Sequence, residues 1–470
     1  MRFPEYDNLD ATAMAELVQK GEVTPTELLE AAIERAEARD PALNAIVYEM
    51  YDMARKQSDT LPKGPFQGVP FLLKDLKSTL VGTPTSQSCK LLKNHIATEN
   101  SAIVDSYLQA GLQIFGKTNT PEFGIMGITE PDLRGPCRNP WNPNHTPGGS
   151  SGGSGAAVAA RIVPMAHGGD GGGSIRIPAS ACGLFGIKPT RGRNSMAPHL
   201  GESWGGYVQE HVITRSVRDS AAVLDLTAGP KAGDPYHAPP KERPWLEEVT
   251  TDPGKLKIAF SPDTLFAGTT HPDCKKAVED AVQLLQELGH EVIEARPTFP
   301  KDELVRAYFL TVASGVAAFV EECAAKAGKK PKASDFEAVS WLLAQIGWTY
   351  SAGELVKSQQ AMQKAMRGVA AFFEEYDVFL TSTLAEPPIE VGFLDPSFSE
   401  RIQLAILRNF PYKFLLEQAL GTMGDNALSR TPNTQLFNQS GQPAMSVPLY
   451  WNEAGLPIGV QFAASFGDEA

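Results

Sequence analysis

Apolar and polar positions change period several times along this chain, and each change marks an element. Thr24 and Pro25 followed by Glu27 form a capping-box start for a helix over residues 27–38, and residues 11–59 as a whole read as helices. The run Gly68-Val69-Pro70-Phe71-Leu72-Leu73-Lys74-Asp75 is too short and apolar for a surface helix, so it predicts a buried strand ending in a charged pair. An amphipathic helix from residue 100 passes through Gly111 into a strand ending at Gly116. A second unit follows the same plan, with a strand over 255–260, a helix over 272–288 and a strand over 290–294. Helix is expected through 301–375, then a strand over 376–381 and a hairpin of 444–450 with 458–464 around Asn452-Glu453-Ala454-Gly455. Such alternation defines an α/β protein with a mostly parallel sheet covered by helices. Between the two halves, residues 229–245 are rich in proline and charge and break both periods, as a linker or long surface crossing would.

Composition narrows the class. Hydrophobic residues make up 42% of the 470 and charged residues 21%, proportions of an ordinary globular protein able to bury a large core. A formal charge of −13 and an isoelectric point near 5.2 argue against a nucleic-acid partner, since phosphate binding needs a basic surface. The five cysteines are odd in number and widely spaced, with no Cys-x-x-Cys and no histidine pair at metal spacing, which fits a reducing compartment without structural zinc. Acidic residues occupy the N-terminus where a signal peptide needs a basic start. The apolar stretch 156–166 is broken by Arg161 and Pro164 and falls short of the roughly 20 residues of a membrane span. A cytoplasmic protein with no membrane partner is expected.

The chemistry concentrates in residues 146–190, where two glycine-embedded serine clusters flank an apolar segment. Ser174 closes Gly171-Gly172-Gly173-Ser174-Ile175-Arg176, so its hydroxyl would sit beside N–H groups that no side chain screens. Donors of this kind are worth about 3 to 4 kcal/mol each to an oxyanion in the transition state. Ser150 and Ser151 lie in Gly148-Gly149-Ser150-Ser151-Gly152-Gly153-Ser154, and both satisfy the Gly-x-Ser-x-Gly elbow of hydrolases. That elbow needs a later histidine, yet the last one is His290 and no Ser-Asp-His order can be drawn near the end. Neither cluster holds Gly-Lys-Ser/Thr, and no dinucleotide fingerprint follows a strand, so nucleotide binding is not expected. If histidine is not the base, Lys74 at the end of its apolar strand is the strongest alternative, because burial favours the neutral amine. An ion pair of Lys74 with Asp75 or another acid is the other reading, and the local residues leave both open.

Taken together, GVPFLLKD, GGSSGGS and GGGSIRIPAS followed by CGLFGIKPTRGR resemble the amidase signature family in order and separation, over nearly the whole chain. The resemblance implies a single domain over residues 1–470 with its core at about 60–230. Its fold would be a large twisted mixed, mostly parallel β-sheet covered on both faces by helices. Carried over position by position, Ser174 becomes the nucleophile, Ser150 the bridging serine with a cis peptide bond, and Lys74 the base. The N–H groups of Gly171, Gly172, Gly173 and Ser174 match the oxyanion hole. Many members have threonine where Gly171 stands, a difference that leaves the N–H in place. Met126, Gly127 and Ser151 are implied to contact substrate; the loop 117–126 resembles the family's substrate-facing loop, with packing and turn formation as its other reading. Asp170 and Arg176 flank the turn and are expected to hold it by an ion pair.

The implied reaction begins when neutral Lys74 takes a proton through Ser150 while Ser174 attacks an amide carbonyl. The same relay protonates the departing amine, and water hydrolyses the acyl-enzyme. No metal or organic cofactor is expected. The partners expected are a small-molecule amide and, for assembly, a second copy in a homodimer. Several blocks, among them CRNPWNP and RSVRDSAAVLD, resemble bacterial amidases of the 6-aminohexanoate-cyclic-dimer hydrolase type. Members continue past the closing hairpin into another helix, whereas this chain stops at Ala470. Two alternatives stand beside an independent hydrolase: the glutaminase subunit of a tRNA-dependent amidotransferase, and a non-catalytic binding scaffold.

Overall fold

The computed structural model describes residues 3–395, 397, 404, 407–408, 412–418 and 429–470. Its strands are β1 (Ile46–Glu49), β2 (Pro70–Lys74), β3 (Gln113–Thr118), β4 (Met165–Asp170), β5 (Phe185–Lys188), β6 (Gln209–Thr214), β7 (Lys257–Phe260), β8 (Glu291–Glu294), β9 (Val378–Ser382), β10 (Ala444–Trp451) and β11 (Pro457–Ala464). They form one sheet in the order β1-β3-β2-β4-β6-β5-β10-β11-β9-β7-β8. The helices are α1 (Ala11–Gln19), α2 (Pro25–Arg39), α3 (Tyr51–Gln57), α4 (Ala102–Gln109), α5 (Gly152–Ala159), α6 (Arg176–Cys182), α7 (Val217–Thr227), α8 (Trp245–Glu248), α9 (Pro272–Glu287), α10 (Lys301–Lys326), α11 (Ala338–Thr349), α12 (Ala352–Phe372) and α13 (Gln435–Ser440).

The α/β class and the mixed sheet are as expected, but the balance of strand directions is not. Among the described residues β2–β3, β2–β4, β7–β8 and β7–β9 pair in parallel, while the other six pairings are antiparallel. The two parallel groups are the helix–strand units legible from periodicity. They are joined by the closing hairpin β10–β11, which inserts antiparallel between β5 and β9. The helical reading of residues 11–59 also missed β1, four residues whose strand character comes from antiparallel pairing with β3 rather than from any local pattern.

Local chemistry accounts for the elements that place the site. The α2 capping box is complete: the Thr24 hydroxyl accepts the Glu27 N–H at 3.2 Å, and the Glu27 carboxylate accepts the Thr24 N–H at 2.8 Å. Every residue of β2 is buried, as a strand between two parallel neighbours must be. Phe71, Leu72 and Leu73 join one apolar core with Leu28, Val104 and Phe115, while Leu304, Val316, Leu342 and Phe379 belong to a second. By length and composition α10 could cross a membrane, but 56% of its most apolar window is buried inside the protein, against α11 and α12 among others. Residues 230–244 form neither helix nor strand and are mostly exposed.

Candidate active site

β2 delivers Lys74 into the interior, where the residue is fully buried. Its Nζ donates to Ser150 Oγ at 2.7 Å and to the Gly169 carbonyl at 3.3 Å. Burial pulls the ammonium pKa from 10.5 down to about 7, against the opposing pull of Asp170 and Glu210. Asp75 is not its partner: that carboxylate accepts the Ser86 N–H at 2.9 Å and the Ser86 hydroxyl. Of the two readings of Lys74, the structure therefore matches the one with a hydroxyl partner.

The Gly149–Ser150 peptide is cis, as the resemblance implies. A Cβ at Gly149 would lie 2.5 Å from the Ile128 carbonyl oxygen, so only glycine fits this approach. The next residue ties the two serine clusters together, with the Ser151 N–H donating to the Ser174 carbonyl at 3.2 Å. Ser151, implied to contact substrate, has no exposed surface. Its hydroxyl is buried against the Gly169 N–H and C=O, both at 3.3 Å, because the chain enters α5 directly afterwards and turns this side chain onto β4.

β4 ends at Asp170, whose carboxylate organises the turn that carries Ser174. Arg176 grips it with two 2.9 Å hydrogen bonds, both side chains being wholly buried, which fulfils the expected ion pair. Burial alone would raise the Asp170 pKa, but the guanidinium overrides it and holds the carboxyl well below its usual range. The same carboxylate accepts the N–H groups of Gly173 at 2.7 Å and Ile175 at 3.2 Å.

This changes the expected oxyanion hole. Gly173 is not available, since its N–H already serves Asp170; its φ of 129° turns the peptide that way, a conformation natural to glycine. The N–H groups of Gly171, Gly172 and Ser174 make no hydrogen bond among the described residues and remain free to hold an anion. The Ser174 hydroxyl is likewise unpartnered among the described residues, and the residue is 9% exposed.

Ser174 stands between two spaces. The larger, about 330 Å³, is also lined by Met126, Gly127, Ile177, Val312, Leu343 and Leu384. The smaller, about 20 Å³, is bordered by Lys74, Ser150 and Ser174, with no direct hydrogen bond between the two serines. It is also bordered by groups that sequence reasoning missed. Lys77 Nζ donates to Ser203 Oγ at 2.6 Å, and His167 and Glu210 are buried beside them. Burial pushes the Glu210 pKa up to about 7, opposed by Lys77 and Lys74, and pulls His167 down to about 3. Lys77 lies two residues beyond the GVPFLLKD motif, and neither it nor Glu210 nor Ser203 carried a local signal of its own.

A lysine–serine pair buried behind a glycine-cradled serine, on an 11-stranded mixed sheet, places the chain in a known class. The family model described as Amidase matches residues 27–470, and the chain belongs to this amidase signature family: it is an amidohydrolase acting on carbon–nitrogen bonds other than peptide bonds. Among its relatives, a 6-aminohexanoate-cyclic-dimer hydrolase from Pseudomonas sp. (strain NK87) is 36% identical over 98% of this chain and 92% of its own length. A lipoamidase from Enterococcus faecalis is 33% identical over 99% of this chain and 62% of its own. The solved structure of 6-aminohexanoate cyclic dimer hydrolase complexed with substrate is similar at a TM-score of 0.87 and 35% identity, covering 98% of this chain and 94% of that one.

Proposed function

We propose that this amidase cleaves its substrate through an acyl-enzyme on Ser174, with Ser150 and Lys74 as the proton relay. The observation that carries this reading is the 2.7 Å contact between a fully buried lysine and Ser150. An amine that is neutral near pH 7 accepts a proton from Ser150 as Ser150 accepts one from Ser174, and Ser174 Oγ attacks the carbonyl carbon. The tetrahedral oxyanion is held by the free N–H groups of the turn, Gly172 and Ser174 foremost because both residues line the larger cavity. The relay returns its proton to the departing amine, and water then cleaves the ester. Closure of the cycle requires the Ser174 hydroxyl to rotate toward Ser150 across the chamber they share.

The larger cavity suits a neutral amide with an apolar body, since Ile125, Ile128, Ile177, Val339, Leu343 and Leu384 line it and its two charged residues among those described, Glu386 and Arg430, pair with each other. Relatives named as a cyclic-dimer hydrolase and a lipoamidase support a substrate range of cyclic and other amides rather than glutamine. The test is turnover of a panel of lactams, alkyl amides, aryl amides and glutamine, with hydroxylamine added to intercept the acyl group. The proposal expects hydroxamate formation from the apolar amides at the expense of acid. Turnover without hydroxamate, or turnover of glutamine alone, would contradict it.

A further inference from the structure

The nucleophile's turn is built from three consecutive glycines, and each of its carbonyl oxygens has a separate anchor. Tyr308 of α10 donates its hydroxyl to Gly171 O at 3.2 Å. The Thr434 hydroxyl, just before α13, donates to Gly172 O at 2.6 Å. The Ile177 N–H, within α6, donates to Gly173 O at 2.6 Å. In a planar trans peptide the C=O and the following N–H point in opposite directions. An anchor on a carbonyl therefore sets the direction of the next residue's N–H. Tyr308 aims the Gly172 N–H, and Ile177 aims the Ser174 N–H. Thr434 and Asp170 hold opposite ends of the peptide between Gly172 and Gly173, leaving it no freedom to rotate.

We infer that Tyr308 and Thr434 are positioning residues for the oxyanion hole, Tyr308 by aiming the Gly172 N–H through the Gly171 carbonyl and Thr434 by locking the peptide that separates the free Gly172 and Ser174 donors; this rests on Ser174 being the nucleophile. The closeness of the fit supports the inference. A Cβ at Gly172 would lie 2.1 Å from the Tyr308 hydroxyl, and one at Gly173 would lie 2.5 Å from the Thr434 hydroxyl. The glycines thus admit these two hydroxyls to the backbone, in addition to freeing its torsions. The Thr434 hydroxyl has one local contact, a long 3.5 Å approach to the Thr431 carbonyl. The Tyr308 ring stacks on Tyr207 with centroids 5.8 Å apart and planes within 8°, and Thr434 is fully buried beside Asn438, which itself donates to the Asp170 carbonyl at 3.0 Å.

The test compares Tyr308→Phe, Thr434→Val and Thr434→Ser in the full chain, measuring kcat and KM, melting temperature and the Kd of an alkyl boronic acid that forms a tetrahedral adduct on serine. Loss of a direct oxyanion donor costs about 10²–10³ in kcat, so loss of an anchor behind the donor is expected to cost about tenfold. The Phe and Val variants should lose kcat by about this factor with KM within about twofold, and boronate affinity should fall in parallel. Thr434→Ser, which keeps the hydroxyl, should retain wild-type kcat. Unchanged kcat in both the Phe and Val variants overturns the inference. So does a rise in KM alone, which would make Tyr308 a ground-state contact, or a kcat loss in Thr434→Ser equal to that in Thr434→Val. Absence of a boronate adduct on wild-type Ser174 would instead remove the nucleophile assignment on which the inference rests.

Discussion

In the proposed relay Lys74 must shed its proton before it can receive one, and its burial sets where on the pH scale this occurs. Burial lowers its pKa from 10.5 to about 7, a difference that at 1.36 kcal/mol per pKa unit makes the charged form about 5 kcal/mol less favourable than in water. If only the neutral amine supports acylation, kcat/KM reaches its plateau near pH 8, falls about tenfold below it near pH 6 and about a hundredfold near pH 5. The assay is the initial rate on an uncharged amide between pH 5 and pH 9, so that no substrate group titrates. A second perturbation tests the cause: Glu210 opposes the shift by favouring the charged ammonium, so Glu210→Gln should move the midpoint to lower pH. A kcat/KM flat across the range would refute the reasoning, as would a midpoint that moves upward in the Gln variant.

Three further expectations concern the fold around the site. Glu122 and Glu337 lie in contact, the Glu337 N–H donating to Glu122 Oε2 at 2.8 Å, and burial raises their pKa values from 4.5 to about 8 and about 7. Folded pKa values above the unfolded ones mean that stability is full below about pH 4.5 and is lost as pH rises toward 8. The wild-type melting temperature should therefore fall between pH 5 and pH 8 by more than that of Glu122→Gln, and an equal fall would show these carboxyls to be uninvolved. Asp170→Asn leaves Arg176 buried without its counter-charge and should lower unfolding free energy by about 3–5 kcal/mol in urea titration; a change under about 1 kcal/mol would mean the pair is relieved by water. Gly153→Ala would place a Cβ 2.4 Å from the Asn119 nitrogen and 2.6 Å from the Ala45 oxygen, backbone on both sides. It should cost at least about 1–3 kcal/mol by the same titration, and wild-type stability would show that the two segments can part.

What could be read from the chain alone follows the range of the physics involved. β2 and the α2 capping box were legible because their causes lie within a few residues: an apolar run bounded by charge, and a threonine three positions before a glutamate. The motifs around Lys74, Ser150 and Ser174 are also local, but their joining into one site came from the resemblance to the amidase signature family. Strand direction was not, because β5 and β10 become neighbours through a pairing of segments more than 250 residues apart, which no local period records. Nor was the orientation of Ser151, which depends on how α5 meets β4. The fate of the Gly173 N–H required knowing that Asp170 turns back beneath its own loop. Tyr308 lies 137 positions from Gly171 in a helix that reads as plain scaffold, so its contact emerges only from packing.

The account turns on Ser174 being the reactive hydroxyl, and mapping the adduct of a fluorophosphonate by peptide mass spectrometry tests this most directly. It predicts a single adduct on the peptide containing Ser174, formed at a rate that rises with pH about a midpoint near 7 as Lys74 is deprotonated. An adduct on Ser151, or an active enzyme that takes up no label, would contradict it.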